Sequence, residues 1–292
     1  MRAMARFPVI RLLMVRLWSF LTFSKTQKFI SFCIKNKEKT IFPSVDWEGF
    51  YRDLTSNGIA FGLRLPEQVV DRIFRYANEE PCYADREVSL GFNVADRLMA
   101  ESSLGKPILL AQYFNAVDNC PDILKIKNDP LIQWLAAKYL GTKPAFVGCN
   151  LWWTFPVNAL EDDRQKHAHV FHRDIDDFKF IKFFFYITRV PKNEGAHVCV
   201  ATSNLHPPII RTGDRYRTRR YTDQEISNYY SAEKILEISG ESGEGFAEDT
   251  LCIHKGSTPK NIPRLLLQLQ FAIFNYGIAH DQRKVSALGT IA

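Results

Sequence analysis

The chain has 292 residues, 46% of them hydrophobic and 13% aromatic, with 22 Phe. That composition excludes a disordered or low-complexity protein and allows one large, well-packed, β-rich core. The formal charge of +6 is localised: residues 1–40 carry nine Lys and Arg against Glu38, a net of +8, so the remainder nets −2. A basic tail on a near-neutral body, without a basic stripe interleaved with aromatics, excludes a nucleic-acid-binding surface.

The six cysteines, at 33, 82, 120, 149, 199 and 252, form no C-x-x-C pair, and several sit in apolar strand-like runs. They read as free, buried thiols in a reducing, cytoplasmic compartment rather than as a disulfide framework or zinc site.

Residues 1–40 read as a basic amphipathic extension and 41–292 as the main domain. Within the first, residues 7–23 are apolar with Arg11 and Arg16 in the middle. The uninterrupted runs are too short to span a bilayer, and the two Arg break a signal-peptide pattern. The segment is expected to form a helix that either packs on the domain or makes peripheral membrane contact. Asp46 to Leu54 predicts a short helix, Ile59 to Leu63 a strand, and Pro66-Glu67 opens a helix with Val69, Val70, Ile73 and Phe74 on one face. Residues 82–107 read as irregular, with candidate short segments around Gly91-Phe92-Asn93 and Leu98-Met99, and the apolar run Pro107 to Phe114 as helical.

Asp129-Pro130 is an N-cap and first turn, and Gly141 a C-cap, for a helix between them. Ala145 to Phe155 reads as a strand whose odd positions are apolar. Its even positions present Asn150, Trp152 and Thr154, so Asn150 and Trp152 can line a pocket, while Trp153 reads as core. Glu161 to Lys166 reads as a charged loop. Arg211 to Arg220 is a dense basic loop, read either as a lid that meets an anionic substrate group or as a solvated face. Thr222-Asp223-Gln224-Glu225 is a capping box for a helix to about Tyr230. Ile235 to Ile238, Gly245 to Ile253 and Leu265 to Tyr276 read as strands.

The chemistry concentrates at Phe171-His172-Arg173-Asp174, just before the strand-like run Phe178 to Thr188. In extended chain, residues two apart share a face, so His172 and Asp174 can offer an imidazole and a carboxylate to one point. Two His and one carboxylate form the facial triad that suits non-haem Fe(II) and leaves coordination positions open. With 7 His and 32 acidic residues, roughly one His-x-(Asp/Glu) arises by chance, so context decides. His254, followed ten residues later by Arg264 at the start of a strong strand, supplies that context. His254 can close the triad and Arg264 can pair with a carboxylate. His167-x-His169 is an alternative metal pair. Asp177 faces away from His172, and Asp176 lies roughly 13 Å along an extended strand.

The set His172-x-Asp174, Ile187-Thr188-Arg189-Val190, Gly195-Ala196-His197 through Ser203-Asn204, His254-Lys255-Gly256 and Arg264 resembles the phytanoyl-CoA dioxygenase family of Fe(II)/2-oxoglutarate oxygenases. The likeness spans about residues 45–277. Arg189 stands where that family usually has Asp, and Ala201 to Asn204 replaces a Gly-Ser-His. The resemblance implies a mainly β protein with flanking helices, a double-stranded β-helix of the jelly-roll or cupin-like kind. It implies Fe(II) on His172, Asp174 and His254, with 2-oxoglutarate and O2 as cosubstrates. The far carboxylate of 2-oxoglutarate would pair with Arg264, with Lys182 as a competitor for it and Asn150 and Trp152 in the pocket wall. The expected reaction is hydroxylation of a small, anionic or neutral molecule with release of succinate and CO2. A catalytically silent binding barrel and a cosubstrate-independent cupin-type enzyme are the alternatives.

Overall fold

Two antiparallel sheets form in the computed structural model, which describes residues 2–158, 160–275 and 281–291. The strands are β1 (Ile59–Arg64), β2 (Cys82–Ala84), β3 (Gly91–Phe92), β4 (Leu110–Tyr113), β5 (Ala145–Thr154), β6 (Phe180–Tyr186), β7 (His197–Val200), β8 (Ile235–Ile238), β9 (Glu244–Glu248), β10 (His254–Gly256) and β11 (Arg264–Ala272). The larger sheet has the order β1-β9-β6-β11-β5-β4-β2-β3, and the smaller β10-β7-β8. The helices are α1 (Arg2–Ala5), α2 (Pro8–Lys35), α3 (Trp47–Asn57), α4 (Glu67–Glu79), α5 (Arg97–Leu104), α6 (Ala116–Asn119), α7 (Pro121–Lys127), α8 (Pro130–Leu140), α9 (Glu161–Lys166) and α10 (Asp223–Tyr229).

Every residue of β6 and of β11 is buried, because both faces of the larger sheet are covered. Alternation along each strand divides two cores. Phe183 and Phe185 of β6, with Trp153, Leu265 and Leu267, belong to the core under the helices. Phe184, Tyr186, Trp152 and Leu266 point the other way, towards Cys199 of β7 and Ile238 of β8. A one-residue slip of β6 would exchange the two sets, so the register is strongly specified.

The helix predicted over 7–23 continues to Lys35. Its inner side meets the body through Trp18, whose ring lies 4.8 Å from that of Phe274, through Thr22 against Thr142 (3.2 Å), and through the buried Cys33. Its outer side leaves Val9, Leu13, Leu17 and Phe20 exposed. Among the described residues no helix is long and apolar enough to cross a membrane. The six cysteines are free and buried.

Three local expectations differ from the structure. Pro107 to Phe114 contains strand β4 rather than a helix: Leu110 to Tyr113 are buried on both sides between β2 and β5, and a run apolar at every position carries no period to mark it as strand. Glu161 to Lys166 forms α9, with acids in its first turn and Arg164 and Lys166 in its last, a charge order that suits the helix dipole. In the 82–107 segment the short candidates around Gly91-Phe92-Asn93 and Leu98-Met99 are β3 and α5, and β2 is an element the irregular reading lacked. The last strand ends at Ala272, and Tyr276 lies outside the described residues.

Asp129 joins the N-terminal region to the body. Its carboxylate accepts from Leu131 N as the N-cap of α8, from Ile41 N and from Thr40 Oγ1, each at 2.8 Å, and the residue is buried. Asp129→Ala removes the cap and strands the Ile41 amide, so it should lower stability by about 2–4 kcal/mol. Urea unfolding monitored by fluorescence reads this directly. A change within about 0.5 kcal/mol, as for an ordinary surface substitution, would show that Asp129 does not tie the segments together.

Candidate metal centre and its chamber

His172 and His254 lie directly opposite one another in an antiparallel bridge: His172 N donates to His254 O (2.9 Å) and His254 N to His172 O (2.8 Å). The pairing brings the two ring centroids to 4.3 Å. Two residues on, Asp174 N donates to Thr250 O at 2.8 Å, which keeps the segment extended and turns the Asp174 carboxylate towards the same point. Asp174 Oδ1 is 3.8 Å from His172 Nε2, and Oδ2 is 3.5 Å from His254 Nε2. Ligand atoms of the three residues all lie within 4.8 Å of one another, and this is the one such His/Cys/Asp/Glu cluster among the described residues.

The hydrogen bonds set the tautomers. Nδ1 of His172 lies 2.9 Å from Val170 O, and Nδ1 of His254 lies 2.9 Å from Cys252 O. A carbonyl only accepts, so each Nδ1 carries the proton and each Nε2 lone pair is free to face a metal. Burial, reinforced by His254, pushes the His172 pKa down to about 3, and burial also lowers that of His254. Both rings are therefore neutral, as ligands must be. Burial acts to raise the Asp174 pKa, but the Lys182 ammonium 2.6 Å away outweighs it and holds the carboxyl well below its usual range. Two neutral imidazoles and one carboxylate are a donor set that fits Fe(II) with open positions.

The triad sits in a cavity of about 730 Å³ between the two sheets. Asn150 and Trp152 of β5, Lys182 of β6, and Leu266, Gln268 and Gln270 of β11 face it from one side, with His197 of β7 on the other. Asn150 and Trp152 of β5 thus line the chamber as their alternation predicts. Val147 lines it too, because a bulge opposite Gln270/Phe271 resets the alternation there. Trp153 points into the opposite core, its Nε1 donating to Tyr113 Oη at 2.9 Å.

Arg264 is fully buried at the chamber wall. One terminal nitrogen donates to Gly195 O, the other to Thr154 Oγ1 at 3.1 Å, and its Nε has no partner. Among the described residues no carboxylate pairs with it. Burial lowers its pKa without removing its charge, since an Arg stays protonated in proteins. Lys182 is placed differently: its Nζ lies 2.6 Å from Asp174 Oδ2 and 3.8 Å from Asp176 Oδ2. Lys182 is thus neutralised by the chain's own acids, whereas Arg264 is not.

His167 and His169 do not form a metal pair. His167 Nε2 is 3.0 Å from Asp85 Oδ1, and His169 Nδ1 is 2.8 Å from Thr258 Oγ1. Asp176 bonds Gln270 Nε2 at 3.1 Å, and Asp177 is spent on the backbone amides of Phe178 and Phe274. Arg189 pairs with Glu241 on the surface, and Ser203 accepts from Ile253 N at 2.7 Å, so those departures from the resembled pattern serve local structure. One pair escaped the sequence reading. Glu248, completely buried, lies 2.7 Å from His197 Nε2 and 3.8 Å from His254 Nδ1, and burial pushes its pKa up to about 7. Glu248 stands in the polar run Glu248-Asp249-Thr250, so no local signal of this contact exists in the sequence.

No protein-family model matches the chain, and no curated protein matches it. Solved structures do match its fold, among them a non-haem α-ketoglutarate-dependent enzyme and a protein complexed with 2-oxoglutarate. EvdO2 from Micromonospora carbonacea var. aurantiaca, solved with 2-oxoglutarate, superposes with a TM-score of 0.54 at 14% identity over 80% of this chain and 92% of that one. SnoK, a non-haem α-ketoglutarate-dependent carbocyclase from nogalamycin biosynthesis, gives 0.53 at 14% identity over 80% and 85%. At such identities the likeness is one of fold.

Proposed function

We propose that the protein is an Fe(II)- and 2-oxoglutarate-dependent dioxygenase built on a double-stranded β-helix, akin to the phytanoyl-CoA dioxygenase family, that hydroxylates a small molecule. The observation that carries this reading is Arg264. A buried guanidinium without an acidic partner opens on the same chamber as a two-His, one-carboxylate cluster. A buried cation is costly unless an anion meets it. 2-Oxoglutarate supplies a carboxylate for the Arg and a keto-acid end for the metal, and the chamber holds both positions.

In this reading His172, Asp174 and His254 hold the iron. Arg264, steadied by Thr154 and Gly195, receives the far carboxylate through parallel N–H donors. Asn150 and Trp152 shape the wall beside it. Lys182 holds the second oxygen of Asp174 and so orients that ligand, as outer hydrogen-bond partners of metal ligands commonly do. When bound, iron with 2-oxoglutarate supplies the oxidising chemistry, in which O2 and the cosubstrate are consumed to give succinate and CO2. The retained Asp174 leaves no vacancy for a halide in the triad and so favours hydroxylation.

Anaerobic titration of the protein with Fe(II) in the presence of 2-oxoglutarate should produce a metal-to-ligand charge-transfer band that saturates at one iron per chain. A silent binding barrel of the same shape gives no band, and a cosubstrate-independent enzyme gives turnover without succinate. Either result would displace the proposal.

A further inference from the structure

Beside His172 and Asp174 the chamber opens through a second cavity of about 500 Å³. Its lining is cationic: Arg6, Arg86, Lys166, Arg173, Arg219 and Arg220 surround it, against Asp174 and Asp176. Both acids are already engaged with Lys182. Several of the cations have partners as well. Arg219 pairs with Asp214 at 2.7 Å, Lys166 lies 3.9 Å from Glu87, and buried Arg173 donates to the carbonyls of Asp214 and Arg217.

Three exposed guanidinium groups make no ion pair among the described residues: Arg6, Arg86 and Arg220, although Asp174 attracts Arg220 at longer range. They come from three distant parts of the chain. Arg6 lies between α1 and α2 and is fixed on both sides. Ala5 is fully buried and accepts from Arg11, and the Phe7 ring lies 5.6 Å from that of Tyr216 in the basic loop. Arg86 follows Asp85, whose carboxylate is taken by His167 and Lys106, and it sits at φ 65°, a left-handed conformation that few side-chain-bearing residues adopt. Arg220 has one long bond, 3.3 Å, to Gln165 O. Like charges converge in this way against their mutual repulsion, which a ligand's negative charge relieves.

We propose that this mouth is a phosphoryl-binding subsite, and that the molecule oxidised at the metal carries a phosphate or diphosphate group that docks on Arg6, Arg86 and Arg220. Three guanidinium groups without an ion pair, even with Asp174 attracting Arg220 at longer range, exceed what one carboxylate neutralises. They match a phosphate's charge of about −1.5 to −2 and its three acceptor oxygens, or the larger charge of a diphosphate. Arg86 lines both cavities, so a group held there leaves the rest of the molecule over His172 and Asp174. The proposal names the substrate class for the oxygenase reading and rests on it for the reaction, but not for the binding.

The binding is therefore tested without iron or 2-oxoglutarate, by equilibrium dialysis of the full-length protein against pyrophosphate, with succinate as competitor. Arg86→Ala and Arg220→Ala should each raise the pyrophosphate Kd about tenfold, and the double variant about a hundredfold. Arg52→Ala, which removes an exposed Arg elsewhere, should leave it unchanged. Thermal melts confirm that the variants fold. A second arm separates a lipid headgroup from a soluble phosphorylated molecule. Capture on phosphatidylcholine vesicles only when phosphatidic acid is added, lost in the double variant, marks a lipid source, for which exposed Val9, Leu13, Leu17 and Phe20, along the helix that begins two residues after Arg6, provide an apolar contact. Pyrophosphate binding without vesicle capture marks a soluble one. No pyrophosphate binding, equal loss in Arg52→Ala, or displacement by succinate as effective as by phosphate overturns the subsite. A missing charge-transfer band overturns the oxygenase reading separately.

Discussion

Asp174→Ala should abolish turnover, by more than about a hundredfold, with loss of bound iron and retention of the fold. The carboxylate is the one anionic member of the cluster, lying 3.8 and 3.5 Å from the two imidazole Nε2 atoms, and two neutral imidazoles alone hold Fe(II) poorly. The same substitution also removes the partner of Lys182, which is buried and 2.6 Å away. Asp174→Asn is therefore the cleaner variant, since its side-chain oxygen still accepts from Lys182 while its charge is gone. Iron content and succinate formation are the readouts, with circular dichroism as the check on folding. Wild-type turnover at full iron content in either variant would remove Asp174 from the centre. His172→Ala and His254→Ala should behave alike.

Arg264→Ala should raise the 2-oxoglutarate KM by about two to three orders of magnitude while iron affinity stays near that of the wild type. Removing one partner of a buried charge pair leaves the other uncompensated, at about 3–5 kcal/mol, which converts to that ratio. Arg264→Lys should fall between, because a single ammonium replaces a two-donor fork. Lys182→Ala is the informative comparison. Lys182 is bound to Asp174 and Asp176, so its loss should weaken iron retention more than it raises the 2-oxoglutarate requirement. An unchanged 2-oxoglutarate curve in the Arg264 variant, with a large shift in the Lys182 variant, would reverse the two assignments.

The placement of His172, Asp174, His254 and Arg264 was legible because His254 and Arg264 open strands and His172 and Asp174 lie in extended chain beside the first, where a two-residue alternation and a ten-residue spacing survive as patterns in one dimension. Asn150 and Trp152 were legible for the same reason. Other features depend on what the chain meets in space. Pro107 to Phe114 is apolar at nearly every position, and only its pairing with β2 and β5 makes it a strand. Lys182 reads as a cation free for a cosubstrate until the fold sets Asp174 against it. Glu248 and His197 lie 51 positions apart, and nothing local to either announces their contact. The basic loop divides in a way that composition hides: Arg211 is bound to Glu225, while Arg220 turns to the mouth.

The backbone bridge between His172 and His254 assigns the work of templating to the polypeptide. Two reciprocal amide–carbonyl bonds fix the separation of the imidazoles, and a third, from Asp174 to Thr250, fixes the carboxylate. A centre assembled by the ion would lose its shape when chelated and refold around the next one. If the proposed centre is preset by the backbone in this way, different divalent ions should compete for one ligand geometry, and cobalt or nickel should bind His172, Asp174 and His254 without remodelling the chamber.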